Sequence, residues 1–244
     1  MVMTHSEPVS LASDVETLDF EGGEMFLIDK PLGWTSFDIV HRVRDLFHVK
    51  KVGHAGTLDP RASGLLIICT GKKTKIIDEF GGQEKEYEGV MQLGSTTASF
   101  DAETPEQDHK EFLAVTEDDI SETFHAFLGT QMQIPPMYSA VKVNGKPLYK
   151  YARKGCLIER AAKEIMILQF ELTSMDLPLV SFRIVCSKGT YIRSIVHECG
   201  EKLKCGAFLK ELRRTRIGDF LVSEAMDLQA LHLLSQRLIP MKAL

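Results

Sequence analysis

The expected fold of this chain follows first from two adjoining stretches, GHAGTLDPRASG at residues 53–64 and LLIICT at residues 65–70. Glycines punctuate the first stretch and allow its backbone to approach other groups closely, which is typical of an ordered loop. The uncharged run after it predicts a strand buried on both faces. Pro60 disfavours the helical region for Asp59, so its carboxylate is expected on the loop. An Asp-Pro pair alone is more often a simple turn, and the length of the stretch favours a functional loop.

Around this loop, strands and helices follow one another in an irregular order. There is no internal repeat and no strict alternation of strand and helix, so we expect an α+β fold with a mixed, largely antiparallel central sheet flanked by helices and loops. Apolar periodicity predicts strands at 25–28, 65–70, 87–94 and 180–186. It predicts helices that start at Thr35 or Ser36, lie around 76–80, and span 117–128 and 192–203. The pair Asn144-Gly145 predicts a hairpin turn.

The composition divides the chain into three parts. Its 244 residues are 44% apolar and 26% charged, as in a globular protein. Residues 1–22 are polar and acidic without an apolar period, which predicts a flexible tail. Residues 23–225 carry the apolar patterns of one domain, and residues 226–244 predict a short C-terminal helix or tail.

Targeting signals are missing from the sequence. No apolar run approaches the roughly 18 residues that a membrane-spanning helix needs. The first 29 residues hold seven acids and no Lys or Arg, unlike a secretory signal. The five cysteines are odd in number and include no CxxC pair. We therefore expect a cytoplasmic protein without membrane association.

The net charge of -5 is unevenly distributed, and the chain outside two acidic segments is basic. Residues 1–29 contribute -7 and residues 101–125 contribute -8, so the rest of the chain carries +10. Such a positive stretch is either a solvated face or a surface that binds nucleic-acid phosphates. The densest positive stretch contains Lys202, Lys204, Lys210, Arg213, Arg214 and Arg216.

Three further residues are candidates for chemistry. The motif SKGTYIR, residues 187–193, puts Arg193 in the first turn of a predicted helix, where a half-buried guanidinium needs a carboxylate partner; we propose Asp59 for it. Tyr87 begins a strand and either packs in the core or presents its ring to a base. His54 has no second ligand at metal-binding spacing, so we expect no metal site. The segment PPMYSAVK, residues 135–142, is either a structural loop or a surface for single-stranded nucleotides.

Five motifs in one order resemble the TruB family of tRNA pseudouridine synthases, over about Met25 to Phe220. The resemblance implies a pseudouridine synthase fold with a central catalytic cleft. It also implies isomerisation of uridine 55 in the T loop of tRNA by base flipping, without a cofactor or metal. The motifs are IDKPLGWTS, GHAGTLDPRASG, KEYEGVMQLG, QIPPMYSAVKVNGKPLYKYARKG and CSKGTYIRSIVHECGEKL.

The same resemblance assigns roles to individual residues. Asp59 matches the essential aspartate, and Arg193 matches the arginine that would keep it ionised and oriented. Three first steps remain open for Asp59: addition to the uracil ring, attack on the ribose, or removal of a ribose proton. Tyr87 matches the tyrosine that stacks on the flipped uracil and is a candidate for removing the C5 proton. The remaining matches are His54 near the flipped bases, Leu212 in the base pocket, Tyr191 beside the substrate, and Lys30 of the KP motif. We group Lys30 with the substrate-binding residues and interpret it as more structural than catalytic.

Two departures from the family pattern affect RNA binding. The chain ends about twenty residues after the catalytic motifs, so no C-terminal PUA domain is expected, and affinity for the T arm must come from the basic stretch and the PPMYSAVK segment. The family's TDTxD reads TASFD at residues 97–101, so any contact of the missing acid is in doubt while catalysis should survive.

Three alternative functions remain. The first is a non-catalytic tRNA-binding or RNA-folding protein, and folding is also a candidate second activity of the enzyme. The second is a guide-RNA-dependent synthase of the dyskerin type, which relies on partner proteins. The third is a carboxylate hydrolase, which lacks a second acid at the motif. We expect a monomer that binds the tRNA T-arm stem-loop and needs no protein partner.

Overall fold

The computed structural model describes residues 7–14 and 17–238. The chain divides into two compact units: unit 1 comprises Met1–Lys85 and Arg213–Leu244, and unit 2 comprises Glu86–Leu212. Within the described residues, no helix is long and apolar enough to cross a membrane.

Thirteen strands and six α-helices make up the described part of the chain. The strands are β1 Met25–Lys30, β2 Val52–Ala55, β3 Ala62–Thr70, β4 Lys85–Leu93, β5 Thr96–Thr97, β6 Glu106–Gln107, β7 Gly129–Gln133, β8 Lys142–Val143, β9 Lys146–Pro147, β10 Lys163–Asp176, β11 Leu179–Cys186, β12 Ala207–Ile217 and β13 Phe220–Leu221. The helices are α1 Ser36–Phe47, α2 Ile77–Gly82, α3 Glu117–His125, α4 Leu148–Ala152, α5 Ile192–Lys202 and α6 Leu228–Gln236, with 3₁₀ turns at Gly71–Ile76 and Val222–Glu224.

Strand β3 is the centre of unit 1. It pairs antiparallel with β1 and with β2, and its residues 64–70 are all buried, which confirms the buried strand predicted there. Helix α1 begins where predicted, because Thr35 and Asp38 form a reciprocal capping box. The helix buries Ile39, Val40 and Val43 against Phe26 and Ile68 of the sheet.

The described residues of the predicted N-terminal tail pack onto unit 1, so the expectation of a flexible tail is wrong for them. The Val9 amide donates to the Met25 carbonyl at 2.8 Å, and Val9 is only 5% exposed. The Phe20 ring stacks on Phe47 at 5.2 Å between centroids. These isolated apolar residues bury without any apolar period in the sequence. Residues 1–6, 15 and 16 lie outside the described residues.

The C-terminal segment forms the short helix expected there. Asp227 caps α6 by accepting from the Ala230 amide at 2.7 Å, and Leu231 and Leu234 pack into the core around Phe26 and Ile28. Residues 239–244 of this segment lie outside the described residues.

Unit 2 contains a sheet in which β4, β11, β10 and β7 lie side by side in that order. Strand β10 pairs antiparallel with both β11 and β7. Tyr87, Gly89, Met91 and Leu93 share the buried face of β4 as predicted, and a side chain at Gly89 would meet the Phe182 ring at 2.4 Å. Isolated parallel bridges add to the antiparallel pairs, and the mixed, mostly antiparallel sheet with helices confirms the predicted α+β fold.

Helices α3 and α5 begin at positions that the sequence predicted. Thr116 and Asp119 form the expected capping box before α3. Helix α5 starts at Ile192 and buries Ile195, Val196 and Cys199. The Asn144-Gly145 turn joins β8 to β9, with φ of 52° and 75° at its two residues, which is the left-handed geometry of a tight hairpin.

Candidate active site

The backbone around Asp59 is fixed from both sides in unit 1. The Ser36 hydroxyl accepts a hydrogen bond from the Leu58 amide at 2.8 Å and donates to the Leu58 carbonyl at 3.1 Å. Ser36 is 2% exposed. After the aspartate, the Pro60 carbonyl accepts from the Gly33 amide at 2.8 Å. The half-buried Asp59 carboxylate is therefore carried by a loop that α1 and its preceding turn hold in place.

Lys30 is a buried cation close to this loop. Its Nζ donates to the carbonyls of Pro31 at 3.0 Å and Trp34 at 2.7 Å. Burial lowers the pKa of Lys30 to about 8; the Asp59 charge opposes this shift and the Arg214 charge adds to it. Both hydrogen bonds hold the turn before α1. A part for Lys30 in substrate binding stays a prediction.

Arg214 is also buried, so its predicted place on an RNA-binding surface is wrong. The residue is 1% exposed. Its Nε donates to the Leu65 carbonyl at 2.8 Å and its Nη2 to the Gly56 carbonyl at 3.1 Å. At Gly64, where φ is +103°, a Cβ would lie 2.3 Å from the Arg214 carbonyl oxygen. Arg214 therefore ties β12 to β3 and to the loop that carries Asp59.

Two other arginines of the basic stretch are engaged within unit 1. Arg213 makes a two-pronged pair with Asp29, at 2.9 and 2.6 Å. Arg216 donates to Glu84 at 2.7 Å. These ion pairs offset their charges, and the exposed cations that remain in the stretch are Lys202, Lys204 and Lys210.

His54 lies on β2, five residues before Asp59. Its Nδ1 is buried without a hydrogen-bond partner. Burial, assisted by the charge of Arg214, lowers the pKa of His54, and the nearby Gly56 backbone only partly opposes this shift. The imidazole is therefore neutral at neutral pH, which suits contact with an uncharged base.

In unit 2, Arg193 is held by three oxygen acceptors. It is 4% exposed and stands in the first turn of α5, as predicted. Its Nε lies 3.5 Å from Asp101 Oδ2, its Nη1 donates to the Ser99 carbonyl at 3.1 Å, and its Nη2 donates to the Tyr138 carbonyl at 2.9 Å. This arrangement fixes the plane of the guanidinium.

Asp101 is a carboxylate partner of Arg193 that the sequence interpretation did not identify. Its Oδ1 accepts from the Ser99 hydroxyl at 2.6 Å and from the Glu103 amide at 2.9 Å, while Oδ2 faces Arg193. The signal was present, because Asp101 is the acid that TASFD retains from the family's TDTxD. Pairing between Arg193 and Asp59 stays a prediction.

The other predicted site residues of unit 2 occupy buried or half-buried places. Tyr87 is 8% exposed on β4. Leu212 is half-buried on β12. Tyr191 is the N-cap residue of α5, and its backbone bonds the Gln133 side chain in both directions. Within the described ranges, no group of three or more His, Cys, Asp and Glu side chains is placed to hold a metal ion.

Two solved protein structures share the fold of this chain. The chain is similar to Cbf5 in a Cbf5–Nop10–Gar1 complex, with a TM-score of 0.66 and 30% identity over 86% of this chain and 53% of that one. It is also similar to a chain of an H/ACA RNP bound to a substrate RNA containing 2′-deoxyuridine, with a TM-score of 0.64 and 27% identity over 86% and 52% of the two chains. The chain thus spans about half the length of these proteins. The fold is that of the pseudouridine synthases.

Sequence similarity is stronger to a narrower group. Residues 44–192 match the TruB family pseudouridylate synthase N-terminal domain, and residues 193–241 match the tRNA pseudouridylate synthase B C-terminal domain. The tRNA pseudouridine synthase B of Chloroherpeton thalassium is 50% identical over 208 residues, covering 83% of this chain and 86% of that protein. Its namesake from Chlorobaculum tepidum is 48% identical, covering 86% and 90%. The chain belongs to the TruB family, which confirms the resemblance stated from the motifs.

Proposed function

We propose that this protein isomerises uridine 55 in the T loop of tRNA to pseudouridine. The observation that carries the proposal is the 50% identity, over most of both chains, to a protein named tRNA pseudouridine synthase B. Four of the five motifs lie within the matched family domains, and the fifth, IDKPLGWTS at residues 28–36, precedes residue 44, where the first match begins.

The reaction moves one bond and leaves the oxidation state unchanged. The N1–C1′ glycosidic bond breaks, the uracil turns, C5 bonds to C1′, and the proton on C5 is lost as N1 gains one. In our proposal the Asp59 carboxylate begins this sequence, by one of the three routes that the sequence leaves open. The hydrogen bonds of Ser36 to Leu58 support the proposal, because they hold the backbone beside a nucleophile in a fixed place.

Arg193 and Tyr87 act with Asp59 in this proposal. The Arg193 guanidinium, itself oriented by Asp101, would keep a carboxylate ionised. Tyr87 would stack on the extruded uracil and assist the loss of the C5 proton. Extruding the base costs a few kcal/mol of lost stacking, which aromatic contacts partly replace.

The remaining residues bind the RNA. We assign the neutral His54 to the flipped bases, and Leu212 and Tyr191 to the pocket around the target. Lys202, Lys204 and Lys210 contact phosphates, because they are exposed where the arginines of the same stretch are not. We further propose a cytoplasmic monomer that needs no cofactor and no protein partner. A role in tRNA folding would accompany this activity.

The experiment is tritium release from a tRNA transcript containing 5-tritiated uridine. We expect one equivalent of tritium per transcript and none from a transcript in which uridine 55 is replaced by cytidine. Tritium release from the substituted transcript would show that the protein modifies a uridine other than uridine 55. Binding without release from either transcript would instead favour the non-catalytic RNA-binding alternative.

A further inference from the structure

We propose that Gln133 is a positioning residue for the reaction, because it fixes the start of α5 and thereby the guanidinium of Arg193. The inference rests on the proposed function, since it concerns how well Arg193 is placed for catalysis. Gln133 is the last residue of β7 and belongs to the motif QIPPMYSAVK.

The Gln133 side chain makes a reciprocal pair of hydrogen bonds with one backbone unit. Its Nε2 donates to the Tyr191 carbonyl at 3.1 Å, and its Oε1 accepts from the Tyr191 amide at 2.8 Å. Gln133 is 3% exposed, so both bonds form away from water. A buried amide satisfied on both sides by the same residue fixes that residue in position and orientation.

Tyr191 is the residue at which α5 begins. It is the N-cap, and its side chain makes no capping hydrogen bond. Its carbonyl accepts from the amides of Ser194 and Ile195, which close the first helical turn. The Ser194 hydroxyl is buried without a hydrogen-bond partner. The Gln133 amide therefore anchors the start of α5 from a different element, through the backbone of Tyr191.

Arg193 follows Tyr191 by two residues, and a second contact links it to the segment after Gln133. Its Nη2 donates to the Tyr138 carbonyl at 2.9 Å. Gln133 itself is held by β10, where it pairs with Lys163. The segment from Gln133 to Tyr138 is thus hydrogen-bonded both to the backbone at the start of α5 and to the Arg193 guanidinium that α5 carries.

Loss of the Gln133 anchor is expected to reduce the rate of the chemical step more than the affinity for RNA. Misplacing a catalytic group by about 1 Å costs roughly 100-fold in rate. Gln133 is too deeply buried to contribute much surface to an RNA contact. Because Gln133 acts by positioning Arg193, substituting Gln133 should not lower the rate further in a protein that already lacks the Arg193 guanidinium.

The test compares single-turnover tritium release and T-arm affinity in five proteins: the parent, Gln133→Leu, Arg193→Lys, the double variant, and Gln131→Leu as a matched control. Gln131 lies on the same strand and donates to the Phe127 carbonyl at 3.1 Å, a bond that does not involve α5. We expect Gln133→Leu to lower the rate by about tenfold or more with affinity changed less than about twofold, and Gln131→Leu to keep the parent rate. The double variant should release tritium no more slowly than Arg193→Lys alone.

Two outcomes overturn the inference while leaving the proposed function intact: an unchanged rate in Gln133→Leu, or a double variant in which the two losses multiply. If Gln133→Leu does not fold, Gln133→Glu replaces it. That side chain has the same shape and keeps the acceptor for the Tyr191 amide but loses the donor to the Tyr191 carbonyl. It should then show the same loss of rate, and a full parent rate would contradict the inference. A parent protein that releases no tritium refutes the proposed function instead.

Discussion

Buried cations serve different ends in the two units. In unit 1, Lys30 and Arg214 direct their hydrogen bonds to backbone carbonyls around the loop that carries Asp59. In unit 2, Arg193 faces a carboxylate, Asp101, as well as two carbonyls. The first arrangement shapes a loop, and the second holds a charged side chain in one orientation.

The two arrangements predict different effects of substitution. A cation bonded to carbonyls contributes mainly to the stability and shape of the backbone, because its loss leaves neutral acceptors unsatisfied. A guanidinium paired with a buried carboxylate is a balanced charge, and removing one partner leaves the other charge unpaired. Substitutions of Lys30 and Arg214 should therefore act mainly on stability, whereas substitutions around Arg193 should act on catalysis as well.

Among the substitutions that compare the buried cations of the two units, Asp101→Asn should have the largest effect. It keeps the shape of the side chain but removes the charge that faces the buried Arg193 in unit 2. The free energy of unfolding should fall by about 3–5 kcal/mol, the cost of breaking a buried ion pair. The rate of tritium release should fall by roughly 100-fold, the cost of misplacing a catalytic group by about 1 Å. T-arm affinity should change little. The control is Asp108→Asn, whose exposed carboxylate accepts from Thr96 at 3.0 Å and does not reach Arg193. A rate in Asp101→Asn equal to that of the parent would contradict the claim that Asp101 orients Arg193 for catalysis.

Arg214→Met should mainly destabilise the protein. It leaves the Leu65 and Gly56 carbonyls without the guanidinium, and we expect the free energy of unfolding to fall by about 3 kcal/mol. Urea titration measures this loss. Arg213→Met is the matched control, because its half-exposed pair with Asp29 should contribute about 1 kcal/mol or less. Equal losses in the two variants would argue against a special role for the buried arginine.

Lys30 should make stability depend on pH. The folded-state pKa of about 8 lies below the ordinary lysine value of 10.5, so between these values the unfolded chain binds more protons and the free energy of unfolding rises with pH. Relative to Lys30→Met, the parent should gain about 2 kcal/mol between pH 7.5 and pH 9.5. Urea titrations of both proteins at the two pH values measure it. A difference that stays constant with pH would show that the ammonium is not titrating in this window.

The smallest effect is expected at the surface. Replacing Lys202, Lys204 and Lys210 together with Ala should weaken T-arm binding by about tenfold and lower the slope of log Kd against log salt by up to about three, while leaving the single-turnover rate unchanged. Replacing the exposed Lys163 with Ala serves as control, because it lies on β10, away from the basic stretch in the sequence. An unchanged salt slope in the triple variant would remove these lysines from the RNA-binding surface.

Much of the fold follows from local sequence signals. The buried strand β3 and the capped helices α1 and α3 were predictable because an apolar run and a Thr/Asp capping pair act within a few residues. Strand β10 was not predicted. Its register shifts after Ile167 and after Leu172, and these irregularities break the alternation on which a strand prediction depends.

The site was only partly predictable for a related reason. The motif around Asp59 and the place of Arg193 in the first turn of α5 follow from residue types that adjoin each other in the sequence. The burial of Arg214 and the partner role of Asp101 depend on contacts between residues far apart in the chain, 158 positions in the case of Arg214 and Gly56. Positive charge in a sequence therefore does not distinguish an arginine that binds RNA from one that binds its own backbone.

The most direct test of the proposed function is single-turnover tritium release by Asp59→Asn, with T-arm affinity measured on the same protein. Asp45→Asn, an exposed acid of α1 in the same unit, is the matched control. We predict that Asp59→Asn binds the T arm within about threefold of the parent and releases no tritium, a loss of catalysis with binding retained. Release of tritium by Asp59→Asn at a rate near that of Asp45→Asn would contradict a catalytic role for Asp59.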